Sequence, residues 1–239
     1  MPVRYANGAL LYEDDFAALG RWHHEGIGAL GVAPGGGMRL HCHGSRQGRE
    51  GCMAFFRPDL PDHVAIEYEI TVRSHGGLVI NYIAMRGLAG EDMIADATRL
   101  PPRTGVMSDY YLASQGLQSY HVSFSRFDDA GVHSRTSNVR RNPGMKLVGE
   151  GTDPCGAIDR TYAIRLCKTG GHIQFHVDGA FSHGCVDWDA AEYPVPDTGK
   201  FGFRLIGSGV MADIARFRVY TIAPDAEVWR VKRQKGPAT

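Results

Sequence analysis

The sequence lacks the features that mark several large classes of protein. It has no surplus of charge: 26 Lys and Arg stand against 26 Asp and Glu, so the formal net charge is zero. A chain balanced in this way offers no basic field to nucleic acid or to an anionic membrane, and neither is an expected partner. It has no apolar run approaching the ~20 residues that cross a bilayer as a helix. Its first stretch, MPVRYANGALLYEDDF, turns acidic too soon for a secretory signal, so the expected location is the cytoplasm. Cysteine is sparse and unpatterned. Cys42, Cys52, Cys155, Cys167 and Cys185 are odd in number and contain no CxxC, which points to free thiols rather than disulfides. Metal-ligand spacing is also lacking. His41 and His43 share a strand face and His23 and His24 are adjacent, but no third ligand follows at a diagnostic interval. The expectation is no cofactor, with room left for a structural calcium held by loop oxygens.

Internal repeats, low-complexity blocks and amphipathic helices of normal length are missing too. Short segments of alternating polarity fill the chain instead, and alternation is the mark of a strand with one buried face. VAIEYEITV (64–72) sets Ile66, Tyr68, Ile70 and Val72 on one side. SYHVSFSRF (119–127) sets Tyr120, Val122 and Phe124 against His121, Ser123 and Ser125. GLVINYIAM (77–85), YAIRLCK (162–168), HIQFHVDG (172–179), KFGFRLIG (200–207) and ARFRVYTI (215–222) continue the series. The 31 glycines suit a turn-rich β protein, and Lys168-Thr169-Gly170-Gly171 and Asp178-Gly179 are hairpin signals. Many short strands separated by turns predict a sandwich or barrel. Two long connections, roughly 86–118 and 128–161, interrupt them. The basic end from about 228 to 239 reads as a frayed tail of a single domain spanning 1–239.

From about Met53 to Val219 the chain resembles the YesU-like family, a family catalogued as a domain of unknown function. The resemblance is carried, in order, by FRPDLPDHVAIEYEIT, GLVINYIAMRGLAGEDM, SYHVSFSRF, SNVRRNPGMKLVGEGTDP, YAIRLCKTGGHIQFHVDG and GKFGFRLIGSGVMADIARFRV. SNVRRNPGMKLVGEGTDP is the most specific. The chain departs from the family in carrying Met145 where an aromatic residue is usual, and fewer acids after its last hairpin. The resemblance implies an all-β, concanavalin A-like jelly-roll sandwich of two curved antiparallel sheets. It also implies a carbohydrate context of the pectin or rhamnogalacturonan kind, with an oligosaccharide as ligand. In such a fold the outer face of one sheet forms a groove.

Groove strands should alternate between core and ligand. On that rule His121, Ser123, Asn81 and Arg204 are expected to line a sugar groove. Asn138 and Arg140, from the second long connection, are expected to fold over it. Arginine offers a planar fork of donors that matches a uronate carboxylate, although an internal ion pair with Glu150 or Asp153 would serve Arg140 equally well. Hydrolysis of a glycoside needs two carboxylates about the scissile bond. Only Glu67-Tyr68-Glu69 comes near, and it lacks the E-x-D-x-E pattern of the glucanases. β-Elimination from a uronate instead needs a group on the carboxylate, a base and an acid. Arg140 or Arg204, His121, and Tyr110 or Tyr111 could fill those places. The readings that stand are an enzyme on imported acidic oligosaccharides, with elimination ahead of hydrolysis; a non-catalytic carbohydrate-binding module; and a protein–protein interaction sandwich. The oligomeric state is not set by the sequence.

Overall fold

A computed structural model describes residues 2–45 and 49–234. Fifteen strands, numbered in chain order, form two antiparallel sheets among the described residues. The first sheet holds β1 (Leu10–Asp14), β3 (Gly28–Val32), β4 (Met38–Cys42), β6 (Val64–Val72), β11 (Thr161–Thr169), β12 (His172–Val177), β13 (Ala180–Val186) and β15 (Met211–Thr221). Its order is β13-β12-β11-β6-β15-β4-β3, with β1 also on β15. The second holds β2 (Trp22–Gly26), β5 (Gly51–Phe56), β7 (Leu78–Gly87), β8 (Leu117–Phe124), β9 (Thr136–Asn142), β10 (Lys146–Thr152) and β14 (Lys200–Ile206). Its order is β10-β9-β8-β7-β14-β5-β2. Of the sandwich or barrel that the alternating segments predict, the structure is the sandwich, the jelly roll that the family resemblance implies.

The main core lies between the sheets. Ile66, Tyr68, Ile70 and Val72 of β6 meet Tyr120, Val122 and Phe124 of β8 and the rings of Trp22, Phe56, Phe201, Phe203 and Phe217. Each such aromatic side chain, fully buried, contributes roughly 1.5–3 kcal/mol. The opposite side of β6 carries Glu67 and Glu69. They face outward to Arg165 and Arg216, the latter at 2.9 Å, so these acids are cross-strand partners of arginines. The hairpin signals hold. Asp178 and Gly179 both take positive φ, 51° and 79°, the type I′ geometry that a two-residue hairpin needs.

The two long connections fold differently from the expectation. Residues 128–161 contain the β9–β10 hairpin, so SNVRR is strand and not loop. Residues 88–116 form a strap of short 3₁₀ turns across part of the second sheet's outer face. Its Met93, Leu100, Met107 and Tyr110 cover Phe55, Ile80, Tyr82 and Met85 and make a second apolar cluster. Three cations fasten it. Lys200 Nζ donates to Asp92 at 2.6 Å, Arg103 grips Glu25 through two hydrogen bonds, and Arg204 donates to the Gly105 carbonyl at 2.8 Å.

The basic end is not frayed where it is described. Helix α1 (Ala226–Gln234) starts on Asp225, whose carboxylate accepts from the Glu227 and Val228 amides. Trp229 of this helix packs on Trp188 and donates to Thr169 at 3.1 Å. Residues 235–239 of the predicted tail lie outside the described part. No helix among the described residues is long and apolar enough to cross a membrane. All five cysteines are buried and free. Burial pushes the Cys52 and Cys185 thiols up to about 12, which makes them poor nucleophiles and poor metal ligands.

Candidate functional site

The strap leaves the middle of the second sheet's outer face uncovered over β7, β8 and β9. Pairing there is in register: Ile80 faces Ser123, which faces Asn138, and one row on, Tyr82 faces His121, which faces Arg140. Directly opposed side chains on one sheet face lie roughly 5 Å apart. Strand pairing therefore brings His121, Ser123, Asn138 and Arg140 together, without any loop folding over them. They line a cavity of about 400 Å³. Its floor is apolar, from Leu78, Ile80 and Ile206, and Met107 of the strap and Met145 of the β9–β10 turn wall it. Arg49 and Arg126 add two more guanidinium groups. Among the described residues no carboxylate lines it.

The polar groups are held in place. Ser123 Oγ donates to Asn138 Oδ1 at 2.8 Å, and Arg140 Nη1 donates to the Met145 carbonyl at 2.7 Å. Neither Glu150 nor Asp153 pairs with Arg140: Asp153 instead accepts from His133 at 3.0 Å. Asn142 Nδ2 donates to His121 Nδ1 at 3.0 Å and to Ser119 Oγ at 2.9 Å. With Nδ1 accepting, the imidazole proton of His121 sits on Nε2. Burial, then the charges of Arg140 and Arg204, push the His121 pKa down to about 3. At neutral pH the ring is an uncharged N–H donor. Nitrogen-15 NMR at pH 7 is expected to show His121 in the Nε2–H form. A Nδ1–H signature would reverse the assignment.

Four of the predicted site residues lie elsewhere. Asn81 is on the core face, fully buried, and accepts from Tyr68 of the other sheet at 2.5 Å. Both faces of β7 are apolar because the strap buries the outer one, so the polar residue did not mark the solvent side. Arg204 does point outward, but the strap covers it. Its guanidinium lies 4.9 Å over the Tyr110 ring and donates to the Arg49 and Gly105 carbonyls. Tyr110 is buried and donates to Glu25 at 2.9 Å. Tyr111 opens onto a different hollow. Neither tyrosine lines the cavity beside His121. Trp188 does not line the cavity either and packs on Trp229.

Sequence reading missed Arg126 and Arg49. Arg126 shares the parity of Tyr120 and Phe124 and should face the core. Ser125 has φ 48°, which ends the strand and turns Arg126 toward the cavity. No alternation signal could have shown that turn. Arg49 stands in a connection with no periodicity at all. No cluster of three or more His, Cys, Asp and Glu side chains suited to a metal occurs among the described residues.

A jelly-roll sandwich of two curved antiparallel sheets, here with a basic hollow on one sheet face, is the fold of the lectins and glucanases. Residues 9–219 match the model of a domain of unknown function, DUF1961, and the chain is a member of that family. The Uncharacterized protein YesU of Bacillus subtilis (strain 168) is 28% identical over 211 residues, 84% of this chain and 90% of its own. A solved Bacillus subtilis protein of unknown function with a galectin-like fold matches at a TM-score of 0.80 and 24% identity, covering 93% of this chain and 100% of that one. More distant solved structures share the fold. The carbohydrate-binding module CBM66 from Bacillus subtilis gives a TM-score of 0.53 at 11% identity over 84% of this chain and 96% of its own. An endo-β-1,3-glucanase from Pyrococcus furiosus gives 0.58 at 13% identity over 90% and 95%.

Proposed function

We propose that this protein binds an acidic, uronate-containing oligosaccharide in the cavity between β7, β8 and β9. The observation that carries the reading is charge of one sign. Arg49, Arg126 and Arg140 line a hollow that has no carboxylate among its described residues. A cavity lined by cations and a neutral N–H donor, over an apolar floor, suits a ring bearing one carboxylate. Arg140 and His121 Nε2 supply donors to the carboxylate, Ser123 and Asn138 meet hydroxyls, and Ile80 and Met145 meet the C–H face. The fold shared with a carbohydrate-binding module and a glucanase supports a sugar ligand, and the acidic sugar is inferred from the arginines. Hydrolysis by a carboxylate pair finds no support here, since Glu67 and Glu69 lie on the other sheet and are paired with arginines.

Titration calorimetry with glucuronic or galacturonic acid tests the reading. Arg140→Ala is expected to weaken either acid by roughly 1.5–3 kcal/mol, the scale of a hydrogen bond to a charged group. Galactose should lose far less. Equal losses for acid and neutral sugar would remove the carboxylate from the account.

The direct pairing of His121 with Arg140 favours a second reading, β-elimination. Arg140 would neutralise the uronate, His121 would take the α-proton, and the leaving glycosidic oxygen would take its proton from solvent, since neither Tyr110 nor Tyr111 lines the cavity. It requires a free lone pair on the ring nitrogen that faces the cavity. The hydrogen bond from Asn142 leaves the lone pair on the other nitrogen, so binding stands ahead of elimination. Release of unsaturated uronides, read by the ultraviolet absorbance of the conjugated product, would reverse that order.

A further inference from the structure

A second hollow, of about 550 Å³, lies on the other side of the β9–β10 turn. The strap and the turn each serve both hollows. Met107 and Met145 face the basic cavity, while Tyr111, Gly144 and Lys146 face the second. Between them runs one backbone hydrogen bond, from the Gly144 N–H to the Tyr111 carbonyl at 2.7 Å. A Cβ placed on Gly144 would meet nothing within 4 Å, so this glycine leaves the second hollow open at the turn.

The far wall of the second hollow is built, not incidental. Arg141 is only 5% exposed. It donates to Asp187 at 3.2 Å and to the carbonyls of Asp189, Tyr193 and Pro194. A guanidinium fork committed to one segment holds that segment in one shape. The two neighbouring arginines of β9 therefore have separate tasks: Arg140 faces the basic cavity, and Arg141 holds up the wall of the next one.

The chemistry of the two hollows differs. The second presents two half-buried rings, Tyr111 and Tyr193, whose faces suit the C–H surface of a sugar. It also presents an accessible donor and acceptor side by side, Lys146 Nζ and Asp189 Oδ2 at 2.6 Å, with Glu192 as a second acid. Two acids, Asp189 and Glu192, balance two cations, Arg141 and Lys146, and Arg141 is committed to Asp187 and three carbonyls, so a second uronate finds no surplus cation while hydroxyls can use donor and acceptor alike.

We propose that the second hollow is a subsite for a neutral sugar ring joined to the uronate, so that the protein reads an acidic–neutral pair. The proposal rests on the acidic-sugar reading of the first cavity, and the test separates the two. Calorimetry compares a free uronic acid, an aldobiouronic acid (one uronate linked to one neutral sugar), a diuronide and a neutral disaccharide. The aldobiouronic acid is expected to bind about tenfold more tightly than the free acid, the scale of one aromatic contact. The diuronide should gain little. Tyr193→Ala should abolish the gain and leave the free acid unchanged. Tyr111→Phe should keep the gain, because the ring remains. Equal affinity for the free and linked acids, or equal losses on Tyr193→Ala, would overturn the subsite and leave the first cavity's reading intact. Binding of the neutral disaccharide alone, lost in Tyr193→Ala, would overturn the uronate reading and keep the subsite. Binding of none of the four would overturn both.

Discussion

Glu25→Ala is expected to destabilise the fold by about 3–5 kcal/mol, the cost of removing one member of a buried ion pair. The Glu25 and Arg103 side chains are 9% and 6% exposed, and two hydrogen bonds of 3.0 and 2.5 Å join them. Burial alone would raise the Glu25 pKa. Hydrogen bonds from His23, Arg103 and Tyr110, with the Arg103 charge, hold it down to about 2. In the variant Arg103 keeps its burial and loses its counter-charge, and Tyr110 loses its acceptor. Arg103 belongs to the strap and Glu25 to β2, so the pair is also one of the fastenings that keep Met107 at the wall of the cavity. Urea unfolding measures the loss, and hydrogen exchange over residues 93–110 should quicken with it. The double variant Glu25→Leu with Arg103→Met should recover most of the stability, since an apolar pair carries no desolvation cost. A loss below about 1 kcal/mol in Glu25→Ala would mean that the pair does not hold the strap.

Lowering the pH from 7.5 to 5 is expected to cost at least about 4 kcal/mol of stability, about 2 each from His121 and His183, with His24, His172 and His176, also lowered by burial, adding in the same direction. Both are buried, at 1% and 2% exposure. Burial, with Arg140 and Arg204, pushes His121 down to about 3, and burial pushes His183 down to about 4. A histidine depressed in the folded state stays neutral while the unfolded chain takes up a proton below its ordinary value near ~6.5. The unfolded state then binds more protons, and stability falls as pH falls. The loss begins below the ordinary value and continues toward the folded pKa. Glu25 acts in the same direction but lower, between its ordinary value and about 2. Urea midpoints at the two pH values measure the effect, and His183→Asn should reduce it by about 2 kcal/mol. A flat profile between pH 7.5 and 5 would show that these rings charge freely in the folded protein.

Asn81 and His121 show how far side-chain alternation reaches. On β8 one face is aromatic and aliphatic and the other is small and polar, so parity alone orients His121 and Ser123 correctly. On β7 both faces are apolar, because the strap makes the outer face a second interior. Parity then has two solutions, and the one with Asn81 outward is the wrong one. Tyr68, from the other sheet and 13 residues earlier, accounts for a polar residue in the core by donating to it. Arg140 shows the reverse case. It reaches the site that its chemistry suggests, but by pairing in register with His121 rather than from a loop.

The sequence by itself determined the many short strands, the hairpin turns, the core face of β6 and β8, and the polar row that ends in His121 and Ser123. Those are consequences of local chemistry: a period of two, a positive φ at Asp178 and Gly179, the spacing of apolar side chains. Tertiary structure alone decided which part of that face stays open. The strap, pinned by Lys200, Arg103 and Arg204, closes over Tyr82 and Met85 and stops short of His121 and Arg140. It also decided that Arg49 and Arg126 join Arg140 while Arg204 is withdrawn. A cavity is where packing ends, and where it ends depends on contacts between residues tens of positions apart, which no window on the chain contains.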